Sequence, residues 1–186
     1  MTILTTARLR LVPFDASHVD GLNVLNSNPE VMRYITGKTE TLDETKAVIE
    51  RVRARWAEWG FSWWSFIETA TNEIIGCGCI QYLERDTTNP LEIGWRLRPD
   101  KWSQGFASEA ARCMAGFAFE MVGTPSLCAV CHPENVKSAR VMERLGMSYR
   151  GIERRYEMDT RVYSLTRDEW IRQSGNGFNH ESADRH

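Results

Sequence analysis

The residues with the most evident chemical potential lie in one loop, Trp102 to Ser108, read as Trp-Ser-Gln-Gly-Phe-Ala-Ser. Gly105 and Ala107 are small, and the run after them has the apolar spacing of a helix. A helix begins with backbone N–H groups that lack intrahelical partners and with the positive end of its dipole, so a loop of small residues at that point can hold an anion. Small side chains also let the backbone approach a phosphate closely. Taken alone, Gly-x-Ala before a helix describes a tight loop-to-helix join equally well, and the stretch is neither a Walker A loop nor a full G-x-G-x-x-G. A second group is Cys128-Ala-Val-Cys131-His132, the C-x-x-C-H spacing of c-type haem attachment. Against it, Ser126 to Cys131 is short and apolar like a buried strand. Residues i and i+3 of a strand face opposite sides, so the two thiols converge poorly on one metal. Cys77 and Cys79 share a face but also sit in a strand-like run, and no metal site is expected.

The elements that must position the loop follow from periodicity. Arg8 to Phe14 alternates as a half-exposed strand, with Leu9, Leu11 and Pro13 on one face. Asp15 caps a helix to about Ser27, Pro29 opens a short helical piece to Ile35, and Leu42 to Trp59 is an amphipathic helix stopped by Gly60. Phe61 to Glu68 and Glu73 to Leu83 read as a hairpin. Its Trp63, Trp64 and Phe66 suit a pocket wall or, more commonly for strand aromatics, the core. Leu91 to Leu97 is the strand before the anion loop. The helix after the loop has an apolar face made by Ala107, Ala110, Ala111, Met114, Phe117, Ala118 and Met121. The Cys128 strand comes next, then a helix from about Pro133 to Leu145 whose stripe is Ala139, Val141, Met142 and Leu145. Met147 to Met158 and Thr160 to Thr166 form a hairpin expected to turn near Asp159, and Asp168 opens a short terminal helix. Hairpin-linked strands are antiparallel, whereas a strand, helix and strand in succession make a parallel crossover.

Composition narrows the function classes. The chain has 186 residues, enough for one domain that buries about 70% of its unfolded surface. We assign residues 1–173 to a single domain and expect 174–186, rich in Gly, Asn and His without periodicity, to be a disordered tail. A net charge of −2 gives no basic footprint for nucleic acid or membrane. No run approaches the roughly 18 apolar residues of a membrane span, and no secretory leader is evident, so a cytoplasmic location is expected. The five cysteines are then expected to be reduced.

Trp102 to Ala107 resembles the acyl-CoA-binding signature Q/R-x-x-G-x-G/A of the GNAT N-acetyltransferases, with Trp102 and Ser103 replacing the usual Gln/Arg and Gly. Asn135, Ser138, Leu145, Gly146 and Met147 resemble that family's second motif. Thr6 to Phe14, Glu92 to Trp95, Trp102 to Ala111, and Val162 to Leu165 with Glu169 and Trp170 resemble its RimJ/RimL branch, which acetylates N-termini of ribosomal proteins. The fold implied is α+β (mixed α/β): a twisted sheet of about seven strands, mostly antiparallel, with a splayed parallel pair at the cofactor site and helices flanking it.

The resemblance further implies acetyl-CoA as co-substrate, without metal. Its pantetheine arm would lie along Trp95 and Leu97 and against Asn135. Its pyrophosphate would lie on the loop Trp102, Ser103, Gln104, Gly105, Phe106, Ala107 and Ser108. The acceptor would be an amine, either a protein N-terminus or a small molecule such as an antibiotic or polyamine, and the protein a monomer or homodimer. Direct attack needs a deprotonated amine and a proton for the leaving thiolate. Glu92 is the candidate base, with a structural ion pair to Arg96 as the alternative. Many family members place a tyrosine seven residues after the motif asparagine; Met142 stands there, which moves the acid role to Ser138, whose hydroxyl would otherwise bond helix backbone. The missing tyrosine also leaves open a module that binds coenzyme without turnover.

Overall fold

A computed structural model describes residues 1–176. Eight strands make one sheet in the order β1-β2-β3-β4-β5-β6-β8-β7: β1 Leu4–Thr5, β2 Leu9–Pro13, β3 Trp63–Glu68, β4 Ile74–Tyr82, β5 Leu91–Leu97, β6 Ser126–Cys131, β7 Ser148–Arg155 and β8 Met158–Thr166. Seven of these match the expected strands. β1 is the addition, two residues long and too short to show alternation. Every neighbouring pair is antiparallel except β5 with β6. The helices are α1 Val19–Asn26, α2 Pro29–Met32, α3 Leu42–Trp59, α4 Phe106–Gly116, α5 Val136–Arg144 and α6 Arg167–Asn176. Ser174 to Asn176, expected to begin the tail, form the end of α6; the rest of that tail, 177–186, lies outside the described residues.

Local chemistry explains the boundaries. Thr41 and Glu44 form a reciprocal capping box on α3, and Asn135 caps α5 by accepting from the Ser138 N–H. α4 lies close on the sheet because the side chains it presents are small: Ala110, Ala111 and Ala115 are fully buried. Gly78 of β4 completes this contact, since a Cβ there would stand 2.5 Å from Phe66 Cζ and 2.8 Å from Met114 Cε. Trp64 and Phe66 are fully buried core residues.

Two sequence expectations fail for backbone reasons. Met121 was expected on the buried face but is 74% exposed, while Phe119 is buried and stacks on Trp170 at 5.6 Å. Phe117–Val122 is a π-helical turn, whose i→i+5 bonding delays the rotation and carries the later residues off the stripe. The closing hairpin turns at Tyr156 and Glu157, with φ of 50° and 63°, while Asp159 is paired with Arg154 inside the ladder. Positive φ at both central residues is the primed turn that fits strand twist. Neither residue is the Gly or Asn that advertises such a turn.

Candidate active site

β5 and β6 pair only at Leu91–Leu127 and Glu92–Cys128. Beyond Glu92 the strands part, and the gap opens as a cleft of about 790 Å³ between the start of α4, the start of α5 and the α2 segment. The anion loop is bent by two residues in the left-handed region, Ser103 (φ 60°) and Gly105 (φ 85°). For Ser103 that conformation costs about 1–2 kcal/mol, the kind of strain that persists at functional sites. Gly105 occupies the N-cap of α4 without a side-chain cap, so the following amides are left to a ligand or solvent. Arg8 braces the loop from outside: its Nε donates to Glu109 at 2.7 Å and its Nη1 to the Gln104 carbonyl at 3.0 Å.

Of the residues expected on the cofactor, Trp95, Leu97, Trp102, Ser103, Gly105, Phe106, Ala107, Ser108, Asn135 and Ser138 all line this cleft. Gln104 does not; its side-chain amide turns back to donate to the Asp100 carbonyl at 2.7 Å. The cleft also carries six cations, Arg33, Arg96, Lys101, Lys137, Arg140 and Arg144, against two carboxylates, Glu30 and Glu134; Lys101 is paired with Glu68 at 2.7 Å, and the lining that remains is net positive, which favours an anion. Lys137 lies 4.4 Å from the Trp102 ring centroid, and Arg144 Nε donates to Ser108 Oγ at 3.1 Å. Lys137, Arg140 and Arg144 recur at i, i+3 and i+7, a basic stripe that was legible in the sequence and was missed. The Ser138 hydroxyl makes no hydrogen bond among the described residues, so the alternative, a bond to helix backbone, is not formed. Met142 is buried in the core.

Glu92 does not line the cleft. It is buried at the start of β5 on a connected set of polar side chains. Its carboxylate accepts a short hydrogen bond from the Tyr156 hydroxyl and another from Gln81 Nε2 at 3.2 Å. Trp63 Nε1 donates to Gln81 Oε1 at 3.0 Å, and the Glu84 backbone N–H donates to the Tyr156 oxygen at 2.9 Å. Burial pushes the Glu92 carboxyl above the ordinary carboxylate range, and the bonds from Tyr156 and Gln81 pull in the opposite direction. The Tyr156 hydroxyl is raised in turn, by burial and then by the Glu92 charge. Tyr156 has no motif around it; only the position of the hairpin turn brings it here.

Arg96 is not the partner of Glu92. Four residues along a strand span about 13 Å, and Arg96 instead donates from Nε to Cys77 Sγ at 3.2 Å. The C-x-x-C-H cysteines are both buried, and burial pushes the Cys128 thiol up to about 12 and that of Cys131 to about 11, so neither is a thiolate at neutral pH. Among the described residues no group of three or more His, Cys, Asp or Glu could hold a metal. Nor is any helix among them long and apolar enough to cross a membrane.

Comparison with known proteins agrees with this geometry. An FsC-acetyl coenzyme A-N(2)-transacetylase from Aspergillus fumigatus is 32% identical over 91% of this chain and 78% of its own length. A crystal structure of an acetyltransferase from Agrobacterium tumefaciens is 27% identical, with a TM-score of 0.76 over 89% of this chain and 94% of its own. The fold is also that of RimL, a ribosomal L7/L12 α-N-protein acetyltransferase solved with coenzyme A, with a TM-score of 0.76 at 18% identity over 90% of this chain and 99% of that one. Residues 8–148 match the acetyltransferase (GNAT) domain model, and with the splayed β5–β6 pair opening onto the amides of α4, the chain belongs to the GNAT family of N-acetyltransferases.

Proposed function

We propose that the enzyme transfers the acetyl group of acetyl-CoA to the α-amine of a protein or peptide N-terminus. The observation that carries the reading is the parting of β5 from β6 after Glu92 into a cleft rimmed by the α4 amides and the basic stripe of α5. In this reading the amides from Ser103 to Ser108 take the pyrophosphate, and Lys137, Arg140 and Arg144 balance phosphate charge. β5 beyond Glu92 has no strand on its β6 side, so the backbone at Trp95 and Leu97 is available to an extended polyamide arm, with Asn135 beside it. Trp102 and Phe106 supply apolar wall.

The chemistry asked of the chain is proton traffic. A protein N-terminal ammonium of ordinary pKa about 8 is mostly protonated at neutral pH. Glu92 takes its proton, through water because the carboxylate lies behind the cleft wall. The amine nitrogen then bonds to the thioester carbon, the C–S bond breaks, and the Ser138 hydroxyl hydrogen-bonds the departing thiolate or relays a proton to it. The excess of cations in the cleft disfavours a polycationic acceptor such as a polyamine. A different small amine is the second reading, favoured by the 32% identical relative whose name gives acetyl transfer to an N(2) position.

Isothermal titration with acetyl-CoA and a thiol-release screen of N-terminal peptides against small amines test the proposal together. Binding with turnover of peptides supports it, and turnover of small amines alone selects the second reading. Binding with no turnover of any acceptor leaves a coenzyme-binding module, and absence of binding removes acetyl transfer altogether.

A further inference from the structure

Arg96 is a cation without a counter-ion among the described residues. Alternation along β5 places Glu92, Gly94 and Arg96 on one face, across from Gln81, Cys79 and Cys77 of β4. The other face, with Trp95 opposite Gly78, is the one packed by Met114 of α4. Arg96 therefore points away from the anion loop and toward α2, where its Nη1 lies 3.9 Å from Met32 Sδ. Its remaining contacts are Cys77 Sγ and the ring of Trp63, whose centroid is 5.2 Å away.

No carboxylate among the described residues lies within ion-pair distance of Arg96. Sulfur is a weak acceptor, and a guanidinium offers five donors in a planar fork shaped for a carboxylate. Partial withdrawal of such a charge from water, with two sulfurs and an aromatic face for company, is unfavourable unless an anion completes it. The residue lines the cleft, so that anion can arrive from solution. Between Arg96 and Glu92 stands Gly94, which leaves the floor open over about 13 Å of strand.

We propose that Arg96 receives a carboxylate of the acceptor, so that the substrate is an amine with a carboxylate a few bonds away: a free amino acid, or a peptide with an acidic residue at its N-terminus. The proposal rests on the acetyl-transfer reading and narrows it. The carboxylate seats on the guanidinium, and the amine passes its proton toward Glu92 through water. Phosphate recognition falls to the α5 stripe on the other side of the strand.

The experiment compares isosteric acceptors by thiol release: peptides beginning Asp or Glu against Asn or Gln, and free amino acids against their amides. A hydrogen bond to a charged group is worth about 1.5–3 kcal/mol, so the wild-type chain is expected to prefer the carboxylate by about 10–100-fold in kcat/KM. Arg96→Met should bring that ratio to near unity while the amide acceptors and acetyl-CoA affinity change little, and Arg96→Lys should restore part of it. The peptide and amino-acid arms tell the two sources apart. Equal rates for carboxylate and amide in the wild type overturn the role of Arg96 and leave acetyl transfer standing. So does a preference that survives Arg96→Met. Turnover of no acceptor overturns both.

Discussion

Replacing Tyr156 with phenylalanine tests whether the hairpin turn is what stabilises an ionised Glu92. The carboxylate accepts from the Tyr156 hydroxyl and from Gln81 Nε2 at 3.2 Å, while burial opposes its charge. A hydrogen bond to an ionised group contributes about 1.5–3 kcal/mol, a neutral one about 0.5–1.5. A chain of this size loses about 2–4 °C in Tm per kcal/mol, so Tyr156→Phe should melt about 3–12 °C below wild type at pH 8. Part of that loss comes from the Glu84 N–H, which the hydroxyl also accepts at 2.9 Å. A double-mutant cycle with Glu92→Met cancels this part and isolates the pair. Because the folded-state pKa of Glu92 is raised, its contribution favours folding below the ordinary carboxylate pKa and is lost as pH rises through the folded value. Tyr156→Phe removes a bond to the charged form and raises that pKa further, so the variant should lose more stability than wild type as pH rises above the ordinary carboxylate range. Urea unfolding of the four proteins measures both effects. Parallel stability curves, or a coupling below about 0.5 kcal/mol at pH 8, would refute the pairing. The neighbours that share this field are Cys79, Cys128, Glu84 and Arg85, and all are kept in the cycle.

Three further outcomes are expected. Glu92→Gln should lower kcat/KM by about 10²–10⁴ and abolish the acidic limb of the pH–rate profile, with acetyl-CoA affinity unchanged by calorimetry; an unaltered profile would remove Glu92 as the base. Gly105→Ala, whose Cβ would meet nothing closer than Arg8 Nη2 at 3.4 Å, should act through its φ of 85°. It should cost about 1–2 kcal/mol and weaken acetyl-CoA binding in titration. Gly78→Ala should instead destabilise by steric overpacking, about 1–3 kcal/mol or more, because its Cβ would stand 2.7 Å from the Gly94 carbonyl; chemical denaturation reads the loss.

The elements, their order and the anion loop were legible in the sequence because each depends on neighbours a few residues away. Alternation marked β2, amphipathic spacing from Leu42 to the stop at Gly60 marked α3, and Gly105 with the apolar run behind it marked the start of α4. Resemblance to a known family then supplied what local pattern could not, the pairing of that loop with Asn135 and Ser138. Tertiary structure decided the rest. Tyr156 reaches Glu92 from 64 residues away because a turn with no glycine closes the last hairpin there, and Arg96 is left without a carboxylate because strand rise carries it out of reach of Glu92. Met121 left the core through a π-helical turn that apolar spacing does not encode. Local sequence determines backbone propensity and which face is apolar. Which charges meet, and which stay unpaired, depends on the register and turns that join distant segments.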